Sequence, residues 1–243
     1  MVRNIGRDAG LSLVEATIIL GVLSVLTGVF SPSVVDFLND AKDVKVKEDC
    51  EAIGTSVARL VRDVGACLKR RGDEPCTMGN RVDLLVSGGP DIQAGDVHGA
   101  TCADGAAVTL PYNWDNDAGP NSDTMENQFV TNEPRYATPD DLQTYDVAGP
   151  HMMLGWRGAY LAAPIGPDPW GRRYVVNSAF LAVATVLDGE RRPAASRRGW
   201  SHNVFCLSAG RNRFYETPIA AQRGSGVVRT GDDFIYVIGG STR

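Results

Sequence analysis

LSLVEATIILGVLSVLTGVF, residues 11–30, is the stretch on which the fold turns. It carries a single charge, Glu15, and as a helix it rises about 30 Å, the thickness of a bilayer's hydrocarbon core. Ahead of it MVRNIGRDAG, residues 1–10, is short and polar, and Arg3 and Arg7 place the N-terminus on the cytoplasmic side. A secretory signal peptide shares these features, but three details differ. The apolar run meets Ser31-Pro32 with no A-x-A-like site, and it is longer than an ordinary signal-peptide core. It also holds a carboxylate near its start, which costs roughly 2.5 kcal/mol or more in a membrane unless paired.

No cation lies at the depth of Glu15 within the segment. Cutting the chain after Gly10 would create an α-amino group on Leu11, four residues before the acid. That amine can pair with Glu15 of a neighbouring chain and neutralise both, so the pair would act as an assembly register.

Gly10-Leu11-Ser12-Leu13-Val14-Glu15, followed by an apolar helix, resembles the prepilin leader of type IV pilins and type II secretion pseudopilins. The resemblance implies that a prepilin peptidase cuts between Gly10 and Leu11 and methylates the Leu11 amine, although Phe or Met is commoner there. It implies that Glu15 supports filament assembly. It also makes Pro32, the twenty-second residue counted from Leu11, the proline that loosens the helix. The expected partners are further copies of this chain, other pilin-like subunits, the prepilin peptidase and an inner-membrane assembly platform. The expected location is the bacterial inner membrane, single-pass with a periplasmic head, and then a filament.

Beyond the anchor, Val46, Cys50, Ile53, Val57, Leu60, Val64 and Cys67 recur at alternating spacings of four and three, an apolar stripe along one helix face. Such a stripe needs a cover, and a sheet suits it better than a coiled-coil partner. Arg70, Arg71 and Gly72 suggest the helix end, cations in the last turn and then glycine. Residues 73–150 are rich in Gly, Pro, Asp and Asn, with strand-like runs at 82–86 and 106–110. Within them 113–119 superficially suggests a calcium loop but lacks EF-hand spacing. Further β-prone runs follow at 173–176, 180–186, 204–208 and 234–238.

The expected fold class is therefore α+β. It comprises a leader (1–10), a transmembrane or assembly helix (11–32) and an amphipathic helix (33–72). A loop-rich insertion (73–150) and a small antiparallel sheet in 151–243, covering the helix stripe, complete it. The resemblance implies that this is the type IV pilin fold.

A second resemblance lies in Gly155-Trp156-Arg157-Gly158-Ala159-Tyr160-Leu161 and Asp168-Pro169-Trp170-Gly171-Arg172-Arg173-Tyr174. It is similar to the W-x-G-x-Y-L … D-P-W-G-x-x-Y segment of major pseudopilins. In physical terms it is a tight turn anchored by a tryptophan. The same family carries calcium in its last strands. That resemblance implies a Ca²⁺ site from the Leu207 and Ser208 carbonyls, Asn212, Asp232 and Asp233, with Asn212 where an Asp is usual and Arg213 where a Gly is usual. Asp232-Asp233 also reads as a polar turn before an apolar strand.

All five cysteines lie beyond the anchor. In a periplasmic head, Cys67–Cys76 or Cys76–Cys102 are the local disulfide candidates, Cys50 reads as a buried thiol, and an odd count leaves a thiol over. His98, His151 and His202 read as isolated loop residues. Without a C-x-x-C, H-E-x-x-H, G-x-S-x-G or P-loop there is no catalytic constellation, so no enzyme is expected. A net charge of −5 argues against nucleic acid as a partner.

The reading is thus a structural filament subunit of a type II secretion-type pseudopilus. Two alternatives stand beside it: a minor type IV pilus subunit with an adhesive insertion, and a singly anchored periplasmic enzyme or binding protein. The last would keep its N-terminus and tolerate Glu15→Ala.

Overall fold

A computed structural model describes residues 12–65, 67–71, 80–93, 96–97, 122–134, 144–147, 155–181, 203–218 and 229–238. Contacts divide the chain into two compact units, Met1–Val44 and Lys45–Arg243.

One helix, α1 (Leu13–Val64), contributes to both. It starts at a capping box: Val14 N–H donates to Ser12 Oγ (3.3 Å) and Ser12 N–H donates to Glu15 Oε2 (3.0 Å). It runs through Pro32 without a break, although proline offers no N–H to the carbonyl one turn back. The helix stops earlier than Arg70-Arg71-Gly72 suggested. Gly65 adopts φ +99°, a conformation glycine takes without strain, and its N–H closes the last turn on the Val61 carbonyl. Further on, Arg70 N–H donates to the Asn80 carbonyl and Val82 N–H to the Leu68 carbonyl.

In the Lys45–Arg243 unit the described residues form a five-stranded sheet. Its strands are β1 (Leu84–Val86), β2 (Ser122–Thr124), β3 (Val175–Val176), β4 (Val204–Ser208) and β5 (Phe234–Ile238), in the order β2-β1-β3-β4-β5. The expected sheet was antiparallel and confined to 151–243. The observed one is mixed, because β1 and β2 come from the 73–150 region and pair parallel to each other. The run at 82–86 contributes β1, and 173–176 shrinks to β3. Of 180–186, Phe180 ends a 3-10 turn (Ser178–Phe180), and residues beyond Leu181 lie outside the described ones, as do 106–110 and 113–119.

Strand alternation sorts the core into two layers. Val46, Cys50, Ile53, Val57 and Leu60 of α1 are fully buried against Leu85, Tyr174, Val176, Val204, Cys206 and Ile238. The stripe therefore meets a sheet face, as its spacing predicts. The opposite face, with Leu84, Val86, Val175, Phe205 and Leu207, is covered by Ile92, Ala209 and Tyr215.

Strand β2 (Ser-Asp-Thr) has no apolar alternation and forms through a buried polar network instead. Asp123 accepts from Thr124 N–H, Asn127 Nδ2 and Gln128 Nε2 at 2.6–2.7 Å. Gln128 Oε1 accepts from the Tyr145 hydroxyl (2.7 Å), whose oxygen accepts from Lys69 N–H (2.7 Å). Burial pushes the Tyr145 hydroxyl well above its ordinary range.

Candidate assembly helix and sheet-end aspartates

The first candidate site is the apolar start of α1. Ile18, Ile19, Leu20, Val22, Leu23, Val25 and Leu26 are all exposed. Successive helical residues sit 100° apart, so these side chains cover well over half of the circumference, and Thr17, Gly21, Ser24 and Gly28 fall on the remaining arc. Hydroxyls within it are satisfied locally: Thr17 donates to the Val14 carbonyl, Ser24 to Leu20 and Thr27 to Leu23, at 2.8–2.9 Å. This one helix, near the N-terminus, is long and apolar enough to cross a membrane. Polar groups that close on their own backbone suit such a solvent.

Gly10 and Leu11, the expected cleavage pair, lie outside the described residues. Glu15 is placed in the first turn of the helix, where it caps Ser12 N–H. That local role was legible as S-x-x-E before an apolar run, but the sequence reading assigned Glu15 to assembly alone. The two roles are compatible, because a carboxylate has two oxygens and the cap uses Oε2.

The second candidate site lies where β4 ends and β5 begins. Asp232 Oδ2 accepts from Asn212 N–H (2.7 Å), and Asp233 Oδ2 accepts from the Glu216 and Thr217 N–H groups (2.9 and 2.6 Å). The other carboxylate oxygen of each, Oδ1, is buried without a hydrogen-bond donor. Burial pushes the Asp233 carboxyl up to about 6, against the pull of its bonds to Thr217 and Glu216. Two orphaned carboxylate oxygens suit a hard cation, which calcium is. Glu216, not singled out in the sequence reading, stands beside them, accepting from Asn212 Nδ2 (2.9 Å).

Other members of the expected calcium set have different engagements. Asn212 Oδ1 accepts from Phe214 N–H (2.8 Å), and Ser208, expected to offer its carbonyl, pairs with Phe234 in the β4–β5 ladder. Leu207 sits in the β4–β5 ladder opposite Ile235. Among the described residues no group of three or more His, Cys, Asp or Glu side chains is arranged to hold a metal ion. Of the expected set, Asp232 and Asp233 are the side chains with unpartnered buried oxygens, and Glu216 stands nearby.

Asp168 turns out to organise the D-P-W-G segment. Its Oδ1 accepts from Trp170 N–H (3.0 Å) and Arg172 N–H (2.8 Å), and Gly171 N–H closes on its carbonyl (2.9 Å). With Ser208 on its second oxygen, one buried side chain ties this turn to the end of β4. Arg172 then forks onto Asp96 (2.6 and 2.7 Å), and the Tyr174 hydroxyl donates to Asp49 of α1 (2.9 Å). The Gly155–Leu161 stretch is pinned to the end of α1: Tyr160 donates to Asp63 Oδ2 (3.2 Å), Gly155 N–H to the Asp63 carbonyl (2.7 Å). Both motifs thus work as structural clasps.

Cys67 is disulfide-bonded, and its partner lies outside the described residues, as do Cys76 and Cys102. Cys50 is buried, as its place in the stripe suggested, and so is Cys206. The three histidines lie outside the described residues. No protein-family model, curated protein or solved structure matches the chain.

Proposed function

We propose that the chain is a structural subunit of a pilin-like filament, most closely a type II secretion-type pseudopilus, that polymerises through residues 11–30 after cleavage between Gly10 and Leu11. The observation that carries this reading is the start of α1: predominantly apolar and exposed, with one acid, Glu15, at its head. An exposed surface of that extent requires lipid or other helices around it. A lone acid there gains most by meeting a cation, and a new α-amino group on Leu11 of a neighbouring subunit supplies one. The α+β unit at Lys45–Arg243 is the head in this reading, and its fold is of the type IV pilin kind. The chain crosses the inner membrane once as a precursor, with its head in the periplasm, and has no enzymatic role. The D-P-W-G clasp favours the pseudopilus over a minor type IV pilus subunit. A calcium ion, where bound, is held by Asp232 and Asp233 and supplies only charge neutralisation between two turns.

The test is the intact mass of the membrane-extracted protein, produced with and without a prepilin peptidase. Loss of residues 1–10 with a gain of about one methylene is the expected result. An unprocessed N-terminus in the presence of the peptidase overturns the reading and leaves a plain anchor. In processed protein, Glu15→Ala is expected to remain in the membrane and to lose incorporation into filaments.

A further inference from the structure

Cys50 lies in the middle of the buried stripe of α1, and Cys206 at the centre of β4, 156 residues away. Their sulfurs are 3.0 Å apart, and both side chains are fully buried. The helix is held over that spot by an independent contact. Cys206 pairs directly with Tyr236 on β5, so the two side chains rise from the same sheet face. One turn beyond Cys50, Gly54 lies so close to the Tyr236 ring that a Cβ placed there would come within 2.5 Å of Cε1. Helix and strand are thus held close at this spot, and the two sulfurs sit nearer than ordinary non-bonded contact.

We propose that Cys50 and Cys206 are oxidised to a disulfide that staples α1 to β4 during folding of the Lys45–Arg243 unit. This rests on the reading that the head is exported to an oxidising compartment. The oxidant is a protein dithiol–disulfide exchanger. The thiolate of one cysteine attacks the exchanger's disulfide, forming a mixed disulfide and releasing one exchanger thiolate. The thiolate of the second then attacks the first cysteine's sulfur and expels the other exchanger thiolate. The protein loses two protons and two electrons, and the exchanger leaves as a dithiol. Closure precedes final packing, because both side chains are fully buried once the core has formed and a protein exchanger can no longer reach them. The bond encloses most of the sheet, so α1 cannot peel from the head when the apolar part of the same helix is withdrawn from lipid.

The test uses the full-length protein, extracted from membranes after export. Cells are quenched in denaturant with N-ethylmaleimide, and unreduced tryptic peptides are identified by mass. The expected species joins residues 48–59 to 199–211, at a mass about 2 Da below the sum of the two thiol peptides. Recovery of both peptides alkylated, with the Cys67 peptide (63–69) still disulfide-linked, overturns the staple and leaves the export reading intact. Recovery of every cysteine alkylated overturns both. Cys50 or Cys206 joined to any other cysteine also overturns the staple. A second measurement follows unfolding with and without reductant: Cys50→Ala/Cys206→Ala is expected to show a smaller reductant-induced drop in unfolding temperature than wild type. An equal drop overturns the proposal.

Discussion

Asp168 accepts from two backbone N–H groups and one hydroxyl while buried, so its removal leaves three donors to be satisfied elsewhere. Each buried donor left bare costs about 1–3 kcal/mol, and local relaxation recovers some of that. Asp168→Ala should therefore destabilise the head by about 3 kcal/mol in urea unfolding. Ser208→Ala should cost about 1 kcal/mol, and a double-mutant cycle should show the two coupled. Asp233 makes a pH prediction. Its folded carboxyl titrates near 6 against an ordinary 3.8, so its stabilising contribution is complete below the ordinary value and is lost as pH rises through about 6. In chelator, wild type measured against Asp233→Asn should gain stability as pH falls from 7 to 5. Calcium added at pH 7 should raise the unfolding temperature of wild type and leave that of the variant unchanged, because the ion balances the same charge.

At the scale of elements, the seating of α1 depends on a missing side chain. A Cβ on Gly54 would meet the Tyr236 ring at 2.5 and 2.8 Å, so either the ring or the helix must move. Gly54→Ala should cost about 1–3 kcal/mol through overpacking, despite alanine's better helix propensity. Tyr236→Ala should recover part of that loss in the double variant, read from denaturant midpoints. The stripe itself was legible in the sequence because helical spacing repeats locally: Val46, Cys50, Ile53, Val57 and Leu60 all face the sheet. The end of the helix was misjudged because Arg70-Arg71-Gly72 carries the usual stop signals. Gly65, with φ +99° and a single cation, Arg62, in the turn before it, ends the helix instead.

For the whole molecule, the two units have separate stabilising logic. Lys45–Arg243 has its own two-layered core, whereas the exposed apolar side chains of 13–30 are not part of it. A chain beginning at Lys45 should therefore fold, remain soluble without detergent and show cooperative thermal unfolding by circular dichroism. Aggregation or non-cooperative melting of that fragment would mean that the head draws stability from the first unit. Within it, β1 arises from the strand-like run at 82–86, whereas β2 comes from a stretch that reads as loop, because it has no apolar residue. Parallel pairing of β1 with β2 joins residues about forty positions apart, a relation no local pattern encodes.

The sequence alone determined what depends on near neighbours along the chain. Its apolar run marks a helix able to span a bilayer, its 4-3 spacing the face of α1 that a sheet covers, and its Asp-Pro-Trp-Gly order a tight turn. Each rests on side chains within a few residues of one another, where geometry is set by covalent bonds and helical rise. Only the tertiary structure decided what depends on distant residues. It brought Cys206 to Cys50, gave Ser208 to Asp168, left Asp232 and Asp233 with bare buried oxygens, and drew two strands from the middle region into the sheet. These contacts form because burial rewards whichever polar and apolar groups meet in the core, regardless of how far apart they lie in sequence.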